Sequence, residues 1–409
     1  MINYQEQQRH YWSQNCREIR LLFVITVAIV WSVSFVTYMK SGYSFWSKSN
    51  HQFRTSSYSL DHRRLRIDEV FADPRTVNVK MEMPIQTEIF RSTKRIKTNL
   101  VWDNLLDIDE VDEVHTYGNN DIAVPFFWHI HKTGGTTMKA FFSECLDLLV
   151  ASGDAGHTVN TKNDSQEKLK KIKIGKTTYL NAEVNSIKGI EIAHNTLHFS
   201  HQAPLLLEKE DNLAIVSGRI RKATELLFDS DGQSSFRGIL FALFRHPVER
   251  EISKFHYLKK ATWEKRYDPA FANLSLDEFI KGGHVYSNWM VRNLVGKNVV
   301  DGSDLNNAKW ILRNKCWIGL QHEYYDSMLR FGHVFGWDNN EHNNFGRWNS
   351  CMGKLKNGQF IKNKSTHSAY DEKSDEWRSL LQSNSLDMEL YVYALQLYRE
   401  QSDKYFSHL

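Results

Sequence analysis

Two short apolar runs in the chain share one pattern, since each ends in a loop that leads directly into a helical stretch. Residues 124–130 break at a glycine pair, and residues 238–244 break at Pro247. Short buried strands that each lead into a helix are typical of parallel sheets, because a parallel connection needs a crossover element. The sequence therefore predicts an α/β fold, a three-layer domain in which a central parallel sheet is flanked by helices.

The spacing of apolar residues predicts helices around these strands. One helix follows the glycine pair, predicted from apolar residues three and four positions apart: Met138, Phe141, Phe142, Cys145 and Leu149. Residues 316–320 are predicted to form another central strand. Further helices are predicted over residues 248–260, 276–280, 286–295, 305–314, 324–335 and 386–401.

Composition excludes several protein classes. The 409 residues are 41% hydrophobic and 24% charged, which excludes a wholly disordered, collagen-like or multi-span membrane protein. A net charge of +4 is too small to indicate a general nucleic-acid binder. Only four cysteines are present, which is too few for a disulfide-dense scaffold, and no C-x-x-C pair among them indicates a zinc site: Cys16, Cys145, Cys316 and Cys351.

One segment is long enough to cross a membrane. Residues 21–39 carry no formal charge over nineteen positions, and at about 1.5 Å per residue such a helix spans the hydrocarbon core of a bilayer. Twenty residues precede the run and no small-x-small site closes it, which favours a retained signal anchor over a cleaved signal peptide. A buried core helix is the alternative. The flanking basic residues favour a cytoplasmic tail over residues 1–20.

The rest of the chain then divides into a stem and a lumenal domain. Residues 41–60 contain seven serines and few aliphatic residues, a composition that predicts a flexible linker. We assign residues 40–120 to the stem and residues 121–409 to the folded domain. A lumenal position suits three N-x-S/T sequons, at Asn163, Asn273 and Asn363.

An oxidising compartment also permits a disulfide. Three cysteines follow the predicted anchor, so at most one intramolecular disulfide forms among them. The predicted pair is Cys316 with Cys351.

The loop after the first strand has the composition of a phosphate cradle. Its glycines let backbone N–H groups close around an anion, and the helix N-terminus adds a partial positive charge. The loop is P-loop-like but is not the P-loop of nucleoside triphosphatases. In that P-loop the lysine follows the second glycine, whereas Lys132 precedes both glycines. An ordinary Gly-Gly turn is the alternative. The predicted phosphate-binding residues are Lys132, Thr133, Gly134, Gly135, Thr136 and Thr137.

A second motif follows the second predicted strand. Residues 245–253 form an R-x-P-x-x-R-x-x-S element. Together with the lysine-first loop, it resembles the two nucleotide motifs of sulfotransferases that use 3′-phosphoadenosine 5′-phosphosulfate (PAPS). The chain is most similar to the Golgi type II carbohydrate sulfotransferases, especially the heparan sulfate 2-O- and 6-O-sulfotransferase and uronyl sulfotransferase group. This resemblance extends over residues 124–400.

The resemblance implies a role for each motif. The loop would hold the 5′-phosphosulfate, with Lys132 near the bridging oxygen, while Arg245 and Ser253 would bind the 3′-phosphate. An arginine fork and a hydroxyl suit a terminal phosphate, and a lysine suits a leaving oxygen. Lys364 and Ser365 would complete the nucleotide site. PAPS is the predicted co-substrate, and no metal is predicted. The alternative for Arg245 and Ser253 is a salt bridge at a helix start and a surface serine.

Transfer to a sugar hydroxyl needs a base, and histidine suits that task. In the resembling family the catalytic histidine lies between the two nucleotide motifs, in a His-x-His or Leu-His context. Here His198 follows Leu197, and His201 lies three positions further on. We predict His201 as the base and His198 as a neighbour that contacts substrate, with the choice between them open. A structural or solvated histidine is the alternative.

A basic cluster precedes these histidines. It would attract a polyanionic glycan, although a solvated lysine-rich excursion explains it equally well. Its members are Lys162, Lys168, Lys170, Lys171, Lys173 and Lys176.

The resemblance thus implies a PAPS-dependent carbohydrate O-sulfotransferase of the Golgi membrane. A glycan or polysaccharide would be its acceptor, one N-terminal helix would hold it in the membrane, and nucleic acid would not be a partner. Two rivals stay open. A nucleotide-dependent kinase is disfavoured by the position of Lys132, and a catalytically silent membrane-anchored glycan-binding protein would keep the fold without the reaction.

Overall fold

A computed structural model of the chain describes residues 97–111, 122–153, 169–174, 177–197, 199–206, 213–229, 236–264, 266–340, 344–362 and 370–407. The strands among these residues are β1 (Ile122–Trp128), β2 (Leu149–Ala151), β3 (Lys171–Ile174), β4 (Thr177–Leu180), β5 (Leu213–Ser217), β6 (Phe236–Phe244) and β7 (Cys316–Leu320). Short 3₁₀ helices span Lys97–Asn104, Ile108–Glu110 and Pro269–Asn273.

Helices connect and flank these strands. In chain order they are α1 (Gly135–Glu144), α2 (Ile187–Leu197), α3 (Phe199–Leu206), α4 (Ile220–Leu227), α5 (Pro247–Leu258), α6 (Leu276–Lys281), α7 (Trp289–Val295), α8 (Gly302–Lys315), α9 (Tyr324–Val334), α10 (Phe345–Lys356), α11 (Asp375–Ser383) and α12 (Ser385–Tyr405).

The described strands form one seven-stranded sheet, in the order β3-β4-β2-β5-β1-β6-β7. Every neighbouring pair is parallel except the edge pair β3 and β4. β1 lies between β5 and β6 and pairs with β6 along its whole length, from Ile122 opposite Phe236 to Trp128 opposite Ala242. The predicted α/β fold with a central, mostly parallel sheet is confirmed.

Both faces of the sheet are buried. Side chains alternate between the faces of a strand, so Phe126 and Trp128 enter one core and Phe127 enters the other. The first core also contains residues of α7, α8 and α12, and the second contains residues of α1, α9 and α10. These helices make the outer layers of the domain.

The core begins earlier in the chain than the sequence analysis places it. Trp102 and Leu105, which that analysis assigns to the stem, are fully buried in the first core. Leu105 is bridged to Gly238 of β6, and its carbonyl accepts a hydrogen bond of 3.0 Å from the buried Lys315 amine. The segment therefore packs as part of the sheet domain.

The sequence predicts three of the buried strands and most of the later helices. The strands near residues 124–130, 238–244 and 316–320 are confirmed as β1, β6 and β7. One predicted helix is too long, because α1 ends at Glu144 and Leu149 begins β2. Asp147 between them has a left-handed φ of 57°, which takes the chain out of the helical path.

The predicted membrane span, residues 21–39, lies outside the described residues. No helix within the described ranges is long and apolar enough to cross a membrane.

A disulfide joins Cys145 to Cys351, so the predicted pairing of Cys316 with Cys351 is wrong. Cys145 ends α1 and Cys351 lies in α10, and both pack in the second core. Cys316 begins β7 in the first core, on the other face of the sheet, and its thiol is free and fully buried. Burial raises the pKa of the Cys316 thiol, which keeps it protonated and unreactive.

We expect the disulfide to stabilise the domain. It closes a loop of 206 residues, and removing such a link costs about 2–5 kcal/mol. The double variant Cys145→Ala/Cys351→Ala should lose this much free energy of unfolding in urea denaturation. Cys316→Ala is the matched control, since it removes a buried sulfur without removing a cross-link, and should lose less. Equal losses, or the absence of a linked Cys145–Cys351 peptide in a non-reducing digest, would contradict the assignment.

Candidate functional site

Both sequence motifs lie at one edge of the sheet. β1, β5, β6 and β7 run in parallel, so their carboxyl ends meet there. Main-chain hydrogen bonds continue past the strand ends, from His129 N to Ser217 O at 2.9 Å and from Gln321 N to Phe244 O at 2.8 Å. Ligands of open parallel sheets bind outside the carboxyl ends of the strands. The loop after β1 lies at this edge.

The loop after β1 has a conformation that few sequences adopt. Lys132 has a φ of 68° and Gly134 a φ of 99°. A left-handed lysine costs about 1–3 kcal/mol and persists only where its surroundings hold it, as at ligand sites. Thr133 holds this turn, since its hydroxyl donates 2.7 Å to the Ile130 carbonyl. Tyr324 holds the next residue, since its hydroxyl donates 3.2 Å to the Gly134 carbonyl.

The glycine pair is required by close packing. A Cβ on Gly135 would lie 2.2 Å from Nε2 of His129, and one on Gly134 would lie 2.6 Å from the Tyr324 ring. α1 begins at Gly135 without a side-chain cap among the described residues. The first N–H groups of α1 are therefore available to an anion.

The threonines of the loop differ in their surroundings. Thr133 and Thr137 are buried, and the Thr137 hydroxyl accepts a 3.0 Å hydrogen bond from Lys362 N. Thr136 is exposed. Of the three predicted phosphate-binding hydroxyls, two hold the loop together and one faces solvent.

Arg245 connects the second motif to the loop. Its Nη1 donates 3.3 Å to the carbonyl of Lys132, and its Nε pairs with Glu249 at 3.3 Å. The pair with Glu249 is the helix-start salt bridge that the sequence leaves open, but the contact with Lys132 reaches a residue 113 positions away. Ser253 is only 4% exposed, so it is not a surface serine.

A cavity of about 530 Å³ opens beside the loop, which is the size of a small-ligand site. Nine lysines and arginines line it, against two glutamates. Five of these cations have no ion-pair partner within the described part of the chain: Lys132, Arg219, Arg221, Arg266 and Arg292. The cavity therefore has a net positive charge.

Lys132 projects into this cavity over an aromatic ring. Its Nζ lies 3.9 Å from the centroid of the Tyr257 ring. Burial, and then the charge of Arg245, lowers the pKa of Lys132. The Tyr257 hydroxyl donates 2.7 Å to Glu264, and burial followed by that hydrogen bond raises the pKa of Tyr257 to about 12. The tyrosine therefore stays neutral beside the lysine.

Trp289 organises the opposite wall. Its ring stacks on Trp128, with centroids 6.2 Å apart, and it lies 5.5 Å from the His131 ring and 5.4 Å from the Arg250 guanidinium. The start of α7 is held by the buried Asp387, which accepts hydrogen bonds from the main-chain N–H groups of Met290 and Val291 at 2.9 and 3.0 Å. Burial raises the pKa of Asp387.

The structure brings some predicted site residues together and leaves others apart. Lys132 lines the cavity and Arg245 contacts its main chain. His201 is exposed on α3 and does not line the cavity. His198, Lys364 and Ser365 lie outside the described residues.

Of the predicted basic cluster, Lys170, Lys171 and Lys173 are exposed. The remaining three lysines, Lys162, Lys168 and Lys176, lie outside the described residues.

Much of the cavity wall consists of residues to which the sequence alone gave no site role. His131, Arg250 and Trp289 line the cavity, together with Arg219 and Lys254. The only sign of His131 in the sequence is its position directly before Lys132 in the loop. Arg250 is the second arginine of the R-x-P-x-x-R-x-x-S element, which marks it in the sequence. Arg219 follows β5, Lys254 lies in α5 and Trp289 begins α7, and only the fold brings these residues together.

No family model matches the chain, and no curated protein matches it either. In the described ranges, no group of three or more histidine, cysteine, aspartate and glutamate side chains is placed to hold a metal ion.

We expect Gly135→Ala to damage the loop. The added Cβ would overlap the His129 ring, and such overpacking costs about 1–3 kcal/mol of unfolding free energy. Gly353→Ala in α10 is the matched control, because a Cβ there meets nothing within 4 Å, and alanine is the better helix former. Urea denaturation should show a loss for Gly135→Ala and a small gain for Gly353→Ala. A neutral Gly135→Ala would show that the loop lacks this packing.

Proposed function

We propose that the chain is a carbohydrate sulfotransferase with a P-loop-like domain, which moves a sulfuryl group from PAPS to a hydroxyl of a glycan. The hydrogen bond from Arg245 to the Lys132 carbonyl carries this proposal. It joins two motifs that resemble the two halves of a PAPS site and that lie 113 residues apart. Either motif alone has an ordinary structural explanation, but their contact at the carboxyl edge of a parallel sheet favours one nucleotide bound by both.

The donor would be held at both of its phosphate ends. The N–H groups at the start of α1 suit the 5′-phosphosulfate, and Lys132 supplies a cation for the oxygen that leaves with the nucleotide. The Arg245 guanidinium suits the 3′-phosphate because it offers a planar fork of donors. Ser253, which is buried in α5, would add a hydroxyl.

The reaction needs no more than positioned charges and a base. The acceptor oxygen attacks sulfur in line and forms the new S–O bond, while the S–O bond to the 5′-phosphate breaks and its electron pair stays on the phosphate oxygen. Lys132 and the loop amides stabilise the charge that develops there. The acceptor proton passes to a base, and the products are a sulfate ester and adenosine 3′,5′-bisphosphate. His201 as that base stays a prediction.

The cavity supports an anionic acceptor. Its five unpaired cations would attract carboxylate or sulfate groups of a glycan, and its volume fits a sugar unit rather than a whole chain. The acceptor would enter beside Lys132, where the transferable group is held.

The cellular setting belongs to the same proposal. Residues 21–39 would form a signal anchor and place the catalytic domain in the Golgi lumen. The Cys145–Cys351 disulfide supports this position, since such bonds persist in oxidising compartments.

Two rivals predict different binding. A kinase would bind ATP with magnesium, and a silent glycan-binding protein would bind glycan without turnover. Calorimetry with adenosine 3′,5′-bisphosphate and with ATP distinguishes a sulfotransferase from a kinase. Transfer of labelled sulfate from PAPS to a panel of desulfated glycans distinguishes a sulfotransferase from a silent glycan-binding protein.

We expect Lys132→Ala to abolish transfer of labelled sulfate, with a fall in kcat of about 100-fold or more, because the leaving oxygen loses its cation. Lys281→Ala is the matched control, since this lysine is exposed, pairs with Asp277 and does not line the cavity. Its transfer rate should equal that of the unaltered protein. Full activity in Lys132→Ala would remove the loop from the reaction.

We expect Arg245→Lys to weaken binding of adenosine 3′,5′-bisphosphate by about tenfold or more, because lysine keeps the charge and loses the fork. Calorimetry measures the change directly. Comparison with adenosine 5′-monophosphate tests the contact between Arg245 and the 3′-phosphate. Adenosine 3′,5′-bisphosphate should bind more tightly than the monophosphate, and the variant should reduce this difference in affinity. An unchanged difference would place the 3′-phosphate elsewhere.

A further inference from the structure

One histidine side chain opens into the cavity next to the loop. His131 lines the cavity and is exposed to it, and no described residue hydrogen-bonds either of its ring nitrogens. Its Nε2 lies close to Gly218, since a Cβ added to that glycine would lie 3.5 Å from Nε2, an ordinary van der Waals distance. An imidazole in this position is free to meet a ligand.

We propose that His131 is the base that takes the proton from the acceptor hydroxyl. This inference rests on the proposed sulfuryl transfer and names a residue that the sequence analysis did not assign. His131 immediately precedes Lys132, so a single loop would supply both the base for the attacking oxygen and the cation for the leaving oxygen. His201 has no comparable position, because it is exposed on α3 and does not line the cavity.

The ring of His131 is held on two sides. It lies 5.5 Å from Trp289 and 5.3 Å from His129, measured between ring centroids. Trp289 is itself fixed by its stacking on the buried Trp128. The base therefore rests on a wall of packed rings, which limits its motion before the acceptor enters.

The charges around His131 keep it in the form that accepts a proton. Desolvation of the ring by the surrounding protein, and then the charges of Arg250, Lys254 and Arg219, lower the pKa of His131 to about 4, while Glu251 acts in the opposite direction. The ring is therefore neutral at pH 7. Entry of PAPS and an anionic acceptor adds negative charge, which raises the pKa of the ring and favours proton transfer.

The proposed sulfuryl transfer needs no reagent other than PAPS and the acceptor. The acceptor O–H bond breaks as its oxygen bonds to sulfur, and the proton moves to a ring nitrogen of His131. The S–O bond to the 5′-phosphate breaks, and its electron pair leaves with adenosine 3′,5′-bisphosphate. The imidazolium then returns its proton to water through the open cavity.

The test uses the full chain and three glutamine variants. His131→Gln removes the base, His201→Gln removes the rival histidine, and His333→Gln is a control at a histidine that does not line the cavity. Transfer of labelled sulfate from PAPS to desulfated glycans, calorimetry with adenosine 3′,5′-bisphosphate and thermal unfolding are measured for each protein. We expect His131→Gln to lose about 100-fold or more in kcat while its nucleotide affinity and unfolding temperature stay unchanged.

The outcomes separate the two proposals. Retained transfer in His131→Gln, or loss of transfer in His201→Gln alone, would overturn the role of His131 and leave the sulfotransferase standing. Absence of nucleotide binding and of transfer in the unaltered protein would overturn the proposed function, and the role of His131 with it.

The pH profile gives a readout that a structural role would not move. A base acts in its neutral form, which is lost as the pH falls through its pKa, and kcat/KM reports the free enzyme. Because the pKa of His131 lies at about 4, kcat/KM should persist below the usual histidine value of about 6.5 and fall only in more acidic solution. In His131→Gln the residual rate should lack this acidic fall. An acidic fall centred near the usual histidine value would contradict the assignment.

Discussion

Parallel pairing of β1 with both β5 and β6 determines where every part of the site lies. The register brings Phe126–Trp128 level with residues of both neighbours, so three strands end together and their following loops meet at one edge. The side chains of β1 fill the cores on both faces, which leaves little freedom for the strand to shift. The loop that begins at His129 is thus placed by the packing of the strand before it.

The loop then makes few but specific contacts with its surroundings. His129 fills the space that a side chain at position 135 would need, Tyr324 binds the Gly134 carbonyl, and Arg245 binds the Lys132 carbonyl. These contacts hold carbonyl groups on the protein side of the loop. They leave the amide groups at the start of α1 and the amine of Lys132 for a ligand, which is the division that an anion site requires.

The walls of the site depend on a second set of buried charges. Asp387 accepts hydrogen bonds from the main-chain N–H groups of Met290 and Val291 in α7 and lies 3.6 Å from the Arg250 guanidinium, which also pairs with Glu251 at 2.9 Å. The two carboxylates offset the burial of Arg250 and hold it beside Trp289. Arg250 is therefore fixed in place before a ligand arrives, and it needs little reorganisation when the ligand binds.

The sequence predicts those features that are local. β1, β6 and β7 are continuous apolar runs because both faces of a parallel sheet are covered, and the loop after β1 is marked in the sequence by its glycines and lysine. β5 and α4 were not predicted, since they lie between the two motifs in a stretch for which no strand or helix was expected. β3 alternates exposed lysines with half-buried isoleucines at a sheet edge, and this pattern suggested a basic cluster instead of a strand.

The disulfide and the cavity depend on contacts between distant residues. Cys145 and Cys351 are 206 positions apart, and nothing local marks them as partners. The cavity combines residues from the loop, the segment after β5, α5 and α7, so the proposed role of His131 depends on neighbours that the fold supplies.

The central claim is that the two motifs bind one nucleotide. A crystal structure of the chain with adenosine 3′,5′-bisphosphate tests it most directly. We expect the 5′-phosphate to lie against the amide groups of residues 133–137 and the 3′-phosphate against the Arg245 guanidinium, with the cavity beside His131 left open for the acceptor. A nucleotide bound away from the loop, or one whose 3′-phosphate makes no contact with Arg245, would contradict the account.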